Sequence, residues 1–152
     1  MADHMQTRIL QAVQAAILAA GLVPVDRVFL ERPDELPTTL LPAVLLNGGD
    51  ESVDDQTVNF PAVQLRVFQF EASACVKGEG GAPAAGRALA GGIEAALLAL
   101  PATTLTGGLL RRLSLVGSRP DNSGTGAVGL FELRQTWQAT YLTLAGAPHQ
   151  PA

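Results

Sequence analysis

Ile9, Leu10, Val13, Ile17 and Ala20 recur at helical spacing while Gln6, Gln11 and Gln14 fall off that stripe, which predicts an amphipathic helix over Thr7–Ala20. Gly21 supplies its stop, and Asp3 and Thr7 are both candidate N-caps. Val25–Glu31 carries β-formers and is closed by Pro33, so it reads as a short strand near a sheet edge. Prolines 33, 37 and 42 make Arg32–Pro42 an irregular surface connection. Ala43–Leu46 reads as a short strand ended by an Asn47-Gly48-Gly49-Asp50 turn, and Asp50, Glu51, Asp54 and Asp55 then form a solvated acidic loop. Ala62–Val76 alternates in two phases. Val63, Leu65 and Val67 share one parity, whereas Phe68, Phe70, Ala72, Ala74 and Val76 take the other. A flat strand cannot do both, so the pattern predicts either a β-bulge near Val67-Phe68 or a strand whose two ends bury opposite faces.

Lys77–Gly81 reads as a glycine-rich hinge or loop. Leu89, Ile93, Leu97 and Leu100 define a second helix that begins at Pro83 and ends at Pro101. Arg87 and Glu94 are the only charges on its opposite side, so this helix is expected to be covered on both sides, by the sheet and by a neighbouring subunit or a long loop. Leu109–Val116 is predicted as a strand, Gly117–Gly129 as a hairpin loop, and Val128–Leu144 as a final strand. In that last strand Phe131, Leu133, Trp137, Ala139 and Tyr141 oppose Glu132, Arg134, Thr136, Gln138 and Thr140. Together these elements specify an α+β domain over residues 1–145: one antiparallel or mixed sheet of four to five strands with two α-helices on one face. Residues 146–152 read as a flexible C-terminal tail.

Composition narrows what such a domain does. The chain has 152 residues, 47% of them hydrophobic, and a net charge of -4, which gives no electrostatic attraction to nucleic acid or an anionic membrane. The longest apolar run, Ala15–Val25, is far below the ~20 residues a bilayer span needs. Met1-Ala2-Asp3-His4 lacks a basic signal region, so an intracellular product is expected. The single Cys75 excludes an internal disulfide, and with His4 and His149 lying near the ends no metal or catalytic constellation is legible. Asp50-x-x-x-Asp54-Asp55 lacks the alternating ligands of a calcium loop, and Gly78, Gly80 and Gly81 lack the Lys-Ser/Thr of a phosphate cradle. No catalytic, cofactor-binding or metal residues are therefore expected. Charge placement is more informative. Asp26–Asp55 holds eight acids and two bases, while Gln56 onward holds five acids and seven bases. Such polarity suits a heterologous contact in which Asp50, Glu51, Asp54 and Asp55 of one subunit meet Arg111, Arg112 or Arg119 of the next, with the rotation closing into a ring.

The Ala-rich first helix (Arg8-Ile9-Leu10-Gln11-Ala12-Val13), Glu31-Arg32-Pro33, Pro42-Ala43-Val44-Leu45-Leu46 running into Asn47-Gly48-Gly49-Asp50-Glu51, the second Ala-rich helix and the long last strand resemble the tail terminator, or tail completion, proteins of long-tailed bacteriophages. That resemblance implies a non-enzymatic structural virion protein, made in the host cytoplasm. It implies a homo-hexameric ring that caps the tail tube, stops its polymerisation and docks the tail to the head connector. Its implied partners are itself, the tail tube protein and the head-tail connector protein. Two other readings compete: a head-tail connector or other minor tail protein, and a small oligomeric α+β enzyme or ligand-binding domain. The latter requires a pocket between sheet and helices near Trp137, Tyr141 and Arg66.

Overall fold

The computed structural model describes residues 3–33, 36–58, 60–78, 80–100, 110–121 and 130–151. Helix α1, Met5–Ala19, buries Met5, Ile9, Leu10, Val13, Ala16 and Ile17, which is the predicted stripe begun one turn earlier. Neither Asp3 nor Thr7 caps it. His4 does, its Nδ1 accepting from the Gln6 backbone N–H at 3.1 Å. Gly21, at φ 65°, takes the left-handed position beyond the last turn, where only glycine avoids a Cβ penalty. Strand β1, Val28–Leu30, is shorter than the predicted Val25–Glu31. Val25 is exposed, and the path bends at Glu31, φ 48°. A single 3-10 turn at Thr38–Leu40 interrupts the proline-rich connection.

Strand β2 runs Ala43–Asp55 and pairs antiparallel with β3, Val63–Lys77. The predicted turn and acidic loop are therefore strand. Gly49 and Asp50 together oppose Gln69, so Asn-Gly-Gly-Asp makes a bulge within a continuing strand. A Cβ on Gly49 would come within 2.9 Å of the Gln69 carbonyl oxygen, which explains glycine there. Of the two alternatives for β3, the bulge is not the one realised, since the irregularity lies on its partner β2: β3 pairs without interruption with β5, Leu130–Leu144, from Val63↔Leu144 to Lys77↔Leu130. The two-phase pattern thus reflects a strand whose ends present apolar residues to opposite faces. Phe68, Phe70, Ala72, Ala74 and Val76 face the helices, and Val63 and Leu65 sit against Leu144 and Leu142 on the other face.

Helix α2, Ala82–Leu98, opens at Gly81 and buries Leu89, Ile93 and Leu97 as predicted, with Leu100 buried just beyond it. Its approach to β5 is close at Gly86, where a Cβ would meet the Phe131 ring at 2.5 Å. The outer positions Ala84, Ala88, Gly91, Ala95 and Leu98 are exposed. Strand β4, Arg112–Asp121, extends four residues past Gly117 into the segment read as a loop; residues 122–129 and 101–109 lie outside the described ones. Strand β6, Ala147–Pro151, occupies what was expected to be a tail. It turns back on β5 through Ala145-Gly146, and Arg8 Nη1 donates to the His149 carbonyl at 3.5 Å.

The sheet order is β1-β2-β3-β5-β4, with β6 also on β5. It is mixed, because β1 runs parallel to β2 and every other pair is antiparallel. Both helices cover one face, over a core built around Trp137, Phe68, Phe70, Ile9, Ile17, Ile93 and Leu97. Within it Gln135 accepts from Trp137 Nε1 at 3.2 Å and donates to the Ala90 carbonyl of α2 at 3.0 Å, so a buried amide fastens helix to sheet. On the opposite face Leu41 and Ala43 enclose Cys75, with Phe29, Leu36, Leu45 and Leu130 packed around them.

Candidate functional site

Beyond the bulge, alternation carries Glu51 onto the helix side of the sheet, past the end of the apolar core. Glu51 opposes Phe68, and one pair further Val53 opposes Arg66, which in turn opposes Tyr141. Arg66 Nη1 donates to Glu51 Oε2 at 2.9 Å, its Nε to Thr143 Oγ1 at 2.8 Å and its Nη2 to Gln64 Oε1 at 3.1 Å. The Tyr141 hydroxyl donates to Glu51 Oε1. The two charged side chains are 12% and 9% exposed, so this is a buried ion pair whose polar groups are nearly all satisfied. Burial, and then the hydrogen bond to Glu51, push the Tyr141 phenol well above its ordinary range. Glu51 is thereby placed inside the fold rather than on the contact surface expected of it.

The other acidic residues remain outside. Asp50, Asp54 and Asp55 are exposed along β2; Asp55 Oδ1 accepts from Gln64 Nε2 at 3.0 Å. Beta-1 covers only Val44, Leu46 and the residue between them, so among the described residues no strand lies beside β2 from Asn47 to Asp55. The β2-β3 arm ends in exposed Val58 and Phe60. Across the sheet, Arg111, Arg112 and Arg119 are exposed on or beside β4, whose outer edge is also unpaired among the described residues. Beta-3 and β5 intervene, so about 14 Å of sheet separates the two edges within one chain. The structure therefore gathers acidic residues on one edge and arginines on the other, and does not bring the two sets together. Arg119 stands directly opposite Arg134, near Glu71, beside a shallow concavity of about 370 Å³. Arg134 is paired there with Glu71 at 3.7 Å and Glu132 at 3.3 Å.

A ligand-binding reading calls for a pocket near Trp137, Tyr141 and Arg66. Trp137 and Tyr141 are fully buried in packed core, and the two concavities described lie elsewhere, one beside Arg119 and one between Leu41 and the start of α2. Among the described residues no three His, Cys, Asp or Glu side chains gather as metal ligands, and no helix is long and apolar enough to cross a membrane. Cys75 is enclosed, and burial pushes its thiol up to about 12, far from a reactive thiolate. The sequence places Arg66 near Tyr141 but not Glu51 with them, so the Glu51–Arg66–Tyr141 network was missed. Its signal was the parity switch at Val67-Phe68, which puts Arg66 in phase with Phe68 and Phe70.

Neither a family model nor a curated relative matches the chain. Among solved structures it is similar to a chain from the virion of a native gene transfer agent particle, with a TM-score of 0.51 and 17% sequence identity, covering 86% of this chain and 94% of that one. At that identity the likeness shows a shared fold.

Proposed function

We propose that this chain is a virion structural protein of the tail terminator kind. Copies of it, six by the family resemblance, close into a ring that caps the tail tube, stops its polymerisation and presents the docking surface for the head connector. Its place is the head-tail interface of the virion, its partners are itself, the tube protein and the connector, and the role calls for no cofactor and no chemistry. The observation that carries the reading is the fold shared along nearly the whole length of a gene transfer agent virion chain. Two further features support it: opposite charge on two sheet edges that are uncovered among the described residues, and an arm whose Val58 and Phe60 project into solvent.

The test is a capping assay. Tail tube protein from the same particle is polymerised with and without the purified chain, and tube lengths are measured by negative-stain microscopy. The reading expects shorter tubes bearing a ring at one end. Unchanged lengths and bare ends would refute it.

A further inference from the structure

The registers that join the strands also fix how one copy can meet another. Arg112 opposes Thr140, Thr140 opposes Val67, and Val67 opposes Ser52, so Arg112 and Ser52 are the two ends of one row crossing β4, β5, β3 and β2. Asp54 follows Ser52 by two residues and shares its face. The chain direction alternates across these four strands, so β2 and β4 run oppositely. Two copies set side by side in the same orientation therefore bring β4 of one antiparallel to β2 of the next. In the unshifted register Arg112 faces Ser52 and lies diagonal to Asp54 on the same face, the arrangement in which cross-strand side chains interact. Among the described residues Arg112 and Asp54 have no ion-pair partner within their own chain.

We propose that the acidic β2 edge, residues 47–54, docks against the basic β4 edge of a second copy at residues 112–117, with Asp54 and Arg112 as the charge pair across the junction. This inference rests on the ring reading and specifies its contact. Each edge repels its own kind, so β2-to-β2 and β4-to-β4 pairing are disfavoured and the head-to-tail junction is selected. A head-to-tail junction propagates around a ring. Arg119 lies outside it. Arg119 shares a row with Arg134, Ser73 and Leu45, where β1 already occupies the edge of β2, so the docked strand diverges from β2 beyond Gly117.

The test combines charge reversal with cross-linking in the full chain. Asp54→Arg and Arg112→Asp are each expected to weaken self-association, read by native mass spectrometry across a concentration series, by about tenfold or more. The two together restore it, while Arg119→Asp leaves it at the wild-type level. Circular dichroism checks that every variant is folded. Ser52→Cys with Arg112→Cys should give a ladder of disulfide-linked multimers on mild oxidation, whereas Ser52→Cys with Arg119→Cys should not; Cys75 is too deeply buried to contribute. A wild-type assembly that survives both single reversals, or a double reversal that fails to restore it, overturns the junction and leaves the ring reading standing. A wild-type chain that never associates, alone or on tail tubes, overturns both.

Discussion

Arg66→Met keeps most of the side-chain volume but removes the three donors that hold Glu51, Thr143 and Gln64. Glu51, only 9% exposed, then keeps a buried carboxylate with the Tyr141 hydroxyl as its remaining partner. Breaking one side of a buried pair costs about 3–5 kcal/mol, because the surviving charge is left uncompensated. For a chain of this size that corresponds to a drop in Tm of roughly 6–20 °C. Glu51→Leu should cost a similar amount, since it strands Arg66 and removes the acceptor of Tyr141. The double variant removes both charges, and its residual cost is that of the unpaired Tyr141 hydroxyl, about 1–3 kcal/mol. The two single effects are therefore expected to exceed the double by 2 kcal/mol or more, as a rough coupling energy. Urea unfolding followed by circular dichroism and by Trp137 fluorescence measures all four proteins, at a concentration where each is a single species, because self-association would add to apparent stability. Single variants costing less than about 1 kcal/mol each, and additive, would show a solvated surface pair in place of a buried one.

Three further outcomes follow from the packing. Cys75 should react with a thiol reagent at pH 8 only as the protein unfolds; because its folded pKa is raised to about 12 from about 9, the stability it contributes is complete below pH 9 and is lost as pH rises toward 12, which alkaline urea melts of the wild type against Cys75→Ala will show. Gly49→Val, whose Cβ would lie 2.9 Å from the Gln69 carbonyl, should destabilise by about 1–3 kcal/mol and raise hydrogen exchange along β2. Ile93→Ala, in a fully buried position where α2 meets the sheet, should cost about 2–5 kcal/mol in the same melts.

Much of the fold is legible in local pattern. Both helices show their stripes, and β5 shows its alternation, because each buries one face against the same core. The continuation of β2 through Asn47–Asp55 is not legible: local turn chemistry and four carboxylates argue for a loop, and pairing with β3 overrides both. The same non-local cause hides β6, whose prolines and glycine-led turn read as a tail until β5 and Arg8 of α1 are placed beside it. The charged site was half visible. The segregation of acids from arginines along the chain becomes a segregation between two sheet edges, yet Glu51 is drawn inside by a partner, Arg66, whose position depends on strand parity. Which arginine faces which acid follows only from register, and register separates Arg112 from Arg119.

Copies of this chain are proposed to close into a ring at the end of a tail tube. The deciding experiment is native mass spectrometry of the purified chain over rising concentration, repeated with polymerised tail tubes and with negative-stain images of any large species. A closed assembly of six 15.8 kDa subunits, about 95 kDa, with a central channel, is expected in solution or on tube ends. A monomer at every concentration that also leaves tube ends bare would contradict it.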